Sequence, residues 1–298
     1  MSHFSVIIVN TDGINDIDEQ LEPFDESIEV PEYVVKELTE EEKQSFIDYY
    51  VKNENAKSSL GFAKLYKEYG ERWNDNTWKK RGNKWVKVST YNPQSQWDWY
   101  QIGGRWAGML KLKENCEGVA GEPGVFDNKI EAGYCSQTLK KNIDIEGMRK
   151  QALESATKCF DVLEGIVQGE NFETMAEVEA RLVKEGKTFI ENKEQYWEQS
   201  VLKRFEKYKE SKHNEFFGIF SNPDEYKMGR EAYLRMKTNG AISAYAFLLN
   251  GEWNQRGKMG WFGCSNDEMT ETEWSEKFNQ MFDELPDDAL VTVVDCHI

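Results

Sequence analysis

The segment from Trp97 to Trp106, which reads WDWYQIGGRW, is the densest group of residues suited to binding chemistry. Its aromatic side chains offer flat faces to a base, a sugar or an anchor residue of another protein. Arg105 can pair with a carboxylate or a phosphate, and the paired glycines that precede it allow a close approach of the backbone or a positive φ angle. A structural interpretation stays open beside this one: a glycine-permitted turn with packed tryptophans and an ion pair between Arg105 and Asp98.

A second group combines basic and aromatic side chains in a predicted β-hairpin that turns at Gly82 and Asn83. Trp78 and Trp85 alternate there with five cations, which are Lys79, Lys80, Arg81, Lys84 and Lys87. Protection of exposed strand edges is the first interpretation. Contact with an acidic patch on a partner or a second copy is the next. A nucleic-acid platform ranks third, because the acidic field of the whole chain opposes it.

Two of the three histidines lie near opposite ends of the chain. Neighbouring side chains on a strand point to opposite faces, so Cys296 and His297 do not form a nucleophile pair. If the terminal strands pair, His3, His297 and Asp295 share one face. A metal site is one interpretation of that group, and polar residues that close a sheet edge are the favoured one.

Recognisable catalytic motifs are otherwise missing from the sequence. The five cysteines form no C-x-x-C pair. There is no phosphate-binding loop, no G-x-S-x-G elbow and no H-E-x-x-H zinc motif. We therefore expect no catalytic residue, no metal and no cofactor, and an enzyme is the less expected class.

The elements that position these groups follow from hydrophobic patterning. Residues 4–9 and 290–294 have the length and the β-branched composition of buried strands. Further strands are predicted at 106–112 and 241–249, and residues 114–137 are predicted to be irregular. The helices are predicted at 39–50 after a capping box at Thr39, 60–69, 144–167 with Asp144 as cap, 175–186, 197–208, 222–239 and 270–285 with a second capping box.

These elements add up to an α+β fold: a mainly antiparallel sheet that contains both terminal strands, with helices on one face. The predicted organisation has an α+β core, a helix-hairpin excursion and a helical insertion. The core comprises residues 1–38, 96–143 and 213–298, the excursion residues 39–95, and the helical subdomain residues 144–212.

Composition limits the kind of partner. The 298 residues carry 37 basic and 54 acidic side chains, a net charge of −17, and 39% hydrophobic residues exclude wholesale disorder. The sequence has no long apolar run and no signal-peptide pattern, and its cysteine number does not suit a secreted disulfide framework, so we expect a cytoplasmic protein.

The charge opposes binding to nucleic acid and to anionic membranes. It suits solubility, or docking on a basic surface such as that of a nucleic-acid-handling protein.

Four stretches together resemble a known family. They are MSHF at residues 1–4, EQLEPFDE at 19–26, the WDWYQIGGRW motif and VVDCHI at 293–298. The chain resembles a family of uncharacterised proteins encoded by bacteriophages and prophages. The resemblance implies a viral accessory protein that acts in the cytoplasm of a bacterial host, and it assigns no catalytic residue.

The sequence favours an accessory protein that binds and inhibits a host antiviral defence complex by protein–protein occlusion. Assembly of this protein into a homo-oligomer is an open alternative. The expected contact residues are Trp97, Trp99, Tyr100, Arg105, Lys80, Arg81 and Lys84. The alternative is a nucleotide- or base-binding enzyme or sponge that stacks a base on the 97–106 loop, with Arg105 on a phosphate and Asp98 as a base. A virion component is a third class that nothing in the sequence favours.

Overall fold

The computed structural model describes two compact units, which are residues 1–15 with 99–298 and residues 16–98. Two predicted helix starts, Leu60 and Asn222, and the turn at Gly70 lie outside the described residues. The described residues are 2–11, 17–53, 57, 61–69, 77–124, 130–186, 188–211, 223–259, 264–266 and 268–298.

Strands and helices are numbered here along the chain. The strands are β1 (His3–Asn10), β2 (Glu29–Glu37), β3 (Thr77–Arg81), β4 (Lys84–Tyr91), β5 (Trp99–Gly104), β6 (Leu110–Lys111), β7 (Glu122–Pro123), β8 (Tyr134–Cys135), β9 (Gln137–Leu139), β10 (Ala246–Leu249), β11 (Glu252–Gln255), β12 (Lys258–Met259), β13 (Ser265–Asn266) and β14 (Leu290–His297). The α-helices are α1 (Ile17–Leu21), α2 (Glu40–Asn53), α3 (Phe62–Tyr69), α4 (Ile145–Val167), α5 (Met175–Val183), α6 (Phe189–Glu198), α7 (Ser200–Ser211), α8 (Arg230–Asn239) and α9 (Glu271–Asp283).

Both terminal strands lie in the middle of the main sheet of the first unit. The strand order is β11-β10-β1-β14-β5-β7, and β9 also pairs with β14. β1 and β14 are antiparallel over their whole length, from His3 opposite His297 to Asn10 opposite Leu290. The α+β prediction with both ends in one sheet is confirmed. The sheet is mixed, because β1 runs parallel to β10 and β5 runs parallel to β7.

One face of this sheet packs on α9. Alternate residues of a strand share a face, and the apolar ones on β1 and β14 join the aromatic side chains of α9 in one buried cluster that includes Ile7, Val9, Val291, Val293, Trp274, Phe278 and Phe282. The Trp274 indole donates a hydrogen bond to the Ala244 carbonyl at 2.7 Å. Farther along the strands the same face carries His3 and Asp295 instead of apolar residues.

The helices of residues 144–212 belong to the same unit as the main sheet. Asp144 caps α4, as predicted, by accepting a hydrogen bond from the Gly147 N–H. Capping boxes at Thr174 and Thr188 begin α5 and α6. The apolar face of α4 packs against α7 and α8 through Phe160, Leu163, Phe205, Tyr233 and Met236.

The second unit is a small three-stranded sheet with two helices. The strand order is β2-β4-β3, all antiparallel, and the predicted hairpin turn contains Gly82 at φ +61°. The capping box at Thr39 is present at the start of α2. Side chains of α2, α3 and the hairpin share one apolar cluster that includes Phe46, Phe62, Tyr66, Trp78 and Trp85.

One local prediction is wrong. The predicted strand 106–112 is a turn at 105–108 followed by the two-residue β6, because Gly108 adopts φ +77° four residues after Gly104, which also has a positive φ. The described residues of 114–137 are mainly irregular, as predicted, and also contain the short strands β7 and β8 and the start of β9. None of the described helices is both long enough and apolar enough to cross a membrane.

Candidate functional site

The paired glycines of the 97–106 motif end β5 in a tightly packed turn. Gly103 and Gly104 have φ angles of +82° and +54°. A Cβ on Gly103 would lie 2.8 Å from the Ser136 hydroxyl, and a Cβ on Gly104 would lie 2.3 Å from the Cβ of Asp295. Any side chain would therefore displace the turn, so its glycines fix where Arg105 sits.

Asp295 on β14 is the centre of this arrangement. It is 1% exposed. Its Oδ2 accepts the backbone N–H of Arg105 at 2.9 Å, and its Oδ1 lies 2.8 Å from Nδ1 of His3. Burial of a carboxylate is costly unless it is paired and hydrogen-bonded, and each oxygen here has a donor. The acid that fixes Arg105 through its backbone is thus Asp295.

Two aromatic rings lie beside the ring of His3. His3 lies opposite His297, and His297 lies opposite Trp99 on β5. The ring centroid of His3 is 5.0 Å from that of His297 and 6.0 Å from that of Trp99, both edge-to-face. Trp99 is 46% exposed. The ends of three central strands therefore place an imidazole that is hydrogen-bonded to a buried carboxylate beside an accessible indole.

The partner of His3 determines which ring nitrogen donates. An ionised carboxylate accepts but does not donate, so Nδ1 is the donor to Asp295 and Nε2 lies outside this hydrogen bond. The His3 side chain is 14% exposed. An imidazole held in this way can take up a proton at Nε2 while the carboxylate stabilises the resulting charge.

A metal centre is not formed by these residues. His3, His297 and Asp295 do come together on one face. In the described ranges, however, no group of three or more His, Cys, Asp or Glu side chains is arranged to hold a metal ion. The His3–Asp295 contact is an imidazole–carboxylate hydrogen bond.

The buried cysteines are poor nucleophiles. Burial raises the pKa of the Cys135 thiol to about 11. Burial also raises the pKa of Cys296 well above its usual value, and the charge of Asp295 adds to this effect. Both remain protonated at neutral pH, and the thiolate is the reactive form.

The other motif residues divide between packing and exposure. Trp97 is 8% exposed, and its indole donates to the Leu21 carbonyl at 3.0 Å. Its ring is therefore mostly buried within the second unit. Tyr100 is half-buried on β5 opposite Cys296. Arg105 is exposed.

The basic hairpin of the second unit is interleaved with carboxylates. Lys79 and Arg81 on β3 both pair with Glu32 of β2. Lys84 on β4 pairs with Glu37 at 2.8 Å. The pKa of Glu32 is lowered, first by the hydrogen bond from Lys79. Three of the hairpin cations are therefore paired with carboxylates of β2.

Two surface cavities differ in character. One, of about 460 Å³, lies in the second unit and is lined by Asp18, Glu19, Glu22, Asp25 and Trp97. The other, of about 350 Å³, lies at the start of α4 and mixes both charges. In it, the side chains of Lys113 and Lys140 donate to backbone carbonyls, so these two lysines already have partners there.

The predicted contact residues therefore fall on two units. Lys80, Arg81, Lys84 and Trp97 belong to residues 16–98, and Trp99, Tyr100 and Arg105 belong to the unit with the terminal strands. Strand parity predicts that His3 and Asp295 share one face, which the structure confirms, but it does not predict their hydrogen bond. The available signal was the polar Asp295 at the end of a run of buried valines.

Comparison with known proteins assigns no relative: no protein-family model matches this chain, and no curated protein or solved structure matches it at a significant level.

Proposed function

We propose that this chain is a bacteriophage-encoded accessory protein that binds a host antiviral defence complex in the bacterial cytoplasm and inhibits it by covering its surface. The observation that carries the proposal is the exposed hairpin of the second unit, whose cations pair with carboxylates of the neighbouring strand β2. The resemblance to bacteriophage and prophage proteins supports the viral context.

The charge arrangement of the hairpin favours a protein partner over a polyanion. A nucleic-acid surface needs cations that neutralise phosphates. Here Lys79 and Arg81 share Glu32, and Lys84 pairs with Glu37, so two carboxylates of β2 offset part of the positive charge. Mixed charges of this kind give specificity and register to a protein interface.

The same unit exposes side chains that suit an interface core. Tyr49 is 58% exposed and Tyr91 is 49% exposed. Val34 and Val35 on β2 are 42% and 47% exposed. Tyrosines with apolar neighbours are typical of interface cores surrounded by polar residues. The hairpin and these side chains together are the proposed docking surface.

A comparison of two triple variants tests this surface. Lys80→Ala/Arg81→Ala/Lys84→Ala removes the hairpin cations, and Lys150→Ala/Lys158→Ala/Lys207→Ala removes three exposed cations of α4 and α7. We expect wild type and the second variant to restore phage plaque formation on bacteria that carry the targeted defence system. We expect the hairpin variant to lose this effect while keeping the wild-type melting temperature.

The same proteins are then mixed with the purified defence complex and measured by size-exclusion light scattering. Equal binding by the hairpin variant and wild type would exclude the hairpin as the contact. If wild type restores plaque formation against no defence system and forms no stoichiometric complex, the inhibitor function itself is overturned.

A second candidate function, the binding of a nucleotide or modified base, is favoured by one observation in the other unit. The exposed Trp99 ring stands beside His3, and Arg105 follows on the adjoining turn. Ligand binding to the folded state raises the melting temperature. We expect nucleotides at millimolar concentration to raise it for wild type and not for Trp99→Ala.

A further inference from the structure

Asp295 interrupts an otherwise apolar face. Preceding residues of β14 on that face, Val291 and Val293, are fully buried in the main core. Replacement of a buried polar pair by apolar residues of similar volume is often neutral or stabilising. Stability alone therefore gives a weak reason for a buried carboxylate at this position, and its geometry indicates a chemical role.

The Asp295 carboxylate fixes the position of the His3 imidazole. His3 is held through Nδ1 at 2.8 Å, and the second carboxylate oxygen is held by the Arg105 N–H at 2.9 Å. Both residues that carry the pair lie on paired central strands rather than on loops. A base oriented through a buried carboxylate on a rigid scaffold is the usual arrangement of a catalytic histidine.

The surroundings indicate what a ligand would be. The exposed Trp99 ring offers a stacking face within 6.0 Å of the His3 ring. Arg105 is exposed and its backbone is fixed by the same carboxylate; a guanidinium suits the charge of a phosphate. A nucleotide combines a flat ring that can stack on Trp99 and a phosphate that can pair with Arg105. The net charge of −17 disfavours a long polyanion, so the ligand is a small one.

We propose that His3 is the general base of a site that hydrolyses a small nucleotide phosphodiester, with Asp295 as its positioning residue. This inference rests on the second candidate function, nucleotide binding at Trp99. It is independent of the docking surface on the other unit.

The step requires only water and the ester. Nε2 of His3 takes a proton from a water molecule as the water oxygen bonds to phosphorus. The bond between phosphorus and one ester oxygen breaks, and its electron pair stays on that oxygen. The imidazolium then returns the proton to the leaving oxygen, which gives an alcohol and a phosphate monoester.

The experiment uses untagged protein, because the backbones of Ser2 and Ile298 are hydrogen-bonded to each other beside His3. The substrate probe is bis(p-nitrophenyl) phosphate, whose hydrolysis releases coloured p-nitrophenolate. We expect His3→Gln to lower kcat/KM by at least about 100-fold, the typical contribution of a general base. Val183→Ala, an exposed position on α5, should match wild type.

Two further variants separate positioning from folding. Asp295→Asn should lower kcat with KM largely unchanged, because the amide oxygen can still accept the Arg105 N–H, whereas the amide NH2 cannot accept the proton on Nδ1 of His3. Trp99→Ala should raise KM with kcat largely retained. A merely structural role for Asp295 would lower the melting temperature and leave kcat per folded molecule unchanged, which would overturn the positioning assignment.

Binding is measured separately by NMR of protein labelled at the histidine Cε1, with adenosine 5′-monophosphate as the probe and His3 assigned by the His3→Gln spectrum. A shift of the His3 signal without any turnover of the ester leaves nucleotide binding standing and overturns the base role. Neither a shift nor turnover overturns both. Equal turnover in His3→Gln and wild type overturns the base role alone.

Discussion

At the residue scale, Asp295 connects three segments that are distant in sequence. It holds His3 on β1 and the turn after β5 while it lies on β14. The link to Arg105 spans 190 residues. One side chain therefore sets both the edge of the main sheet and the shape of the Trp/Gly turn.

Gly104 is the backbone counterpart of that side chain, and its replacement is the first prediction. In Gly104→Ala the added Cβ would lie 2.3 Å from Asp295, on a backbone of φ +54°. Overpacking of this kind typically costs about 1–3 kcal/mol, and the positive φ adds roughly 1 kcal/mol. We expect urea unfolding to show a loss of about 3 kcal/mol.

Gly133→Ala is the matched control for this prediction. Gly133 has φ +84°, and a Cβ there would meet nothing within 4 Å. Its replacement carries the conformational cost without the clash, so we expect a loss of about 1 kcal/mol. If both variants lose the same stability, the packing of the turn against Asp295 does not stabilise the fold.

At the element scale, local signals account for the correct predictions. The β-branched runs at both ends form β1 and β14, and the capping residues Thr39 and Asp144 begin α2 and α4 as expected. Each of these features depends on residues within about one turn or strand of each other. The strand β2 was not predicted, because Pro31, many acids and two shifts of register obscure its alternation.

The candidate site depends on contacts between segments that are distant in the sequence. Strand parity predicted that His3, His297 and Asp295 share a face. It did not predict that the Trp/Gly turn would reach Asp295, because that contact depends on the order of β14 and β5 in the sheet. Trp97 and Trp99 are two residues apart and are the same residue type, yet Trp97 is buried and Trp99 is exposed. The boundary between the two units separates them.

The start of α4 gives the prediction with a pH dependence. The pKa of Asp144 is lowered, first by Lys111, whose Nζ lies 2.8 Å away, and then by the Gly147 N–H. A carboxyl whose pKa is lower in the folded state stabilises the fold above its unfolded pKa, and this stabilisation is lost as pH falls through the folded pKa. Asp144→Ala should cost about 1 kcal/mol at pH 7, the usual value of an N-cap.

Urea unfolding of this variant at pH 7, 5, 4 and 3 measures the effect. The difference from wild type should stay constant down to pH 5 and shrink below the ordinary Asp pKa of 3.8. Glu154→Ala, an exposed position within α4, should change stability by less than about 0.5 kcal/mol at each pH. A deficit of Asp144→Ala that is unchanged at pH 3 would show that the carboxylate charge is not what stabilises this helix start.

At the scale of the whole molecule, the net charge and the docking surface act on different steps of association. A charge of −17 attracts a basic partner over distances set by the Debye length, which falls from about 14 Å to about 4 Å between 50 and 500 mM salt. Long-range attraction raises the association rate, whereas close contacts determine the dissociation rate. The association rate constant should therefore fall by roughly 10-fold or more over this salt range.

The two triple variants of exposed cations separate these steps, because each changes the net charge from −17 to −20. Steering depends on total charge, so both variants should associate with the defence complex at least as fast as wild type. Only the variant of Lys80, Arg81 and Lys84 removes contacts of the proposed surface, so only its dissociation rate should rise, by about 10-fold or more. Surface plasmon resonance at 150 mM salt measures both rates. A dissociation rate that rises equally in the variant of Lys150, Lys158 and Lys207 would show that the hairpin has no specific part in holding the complex.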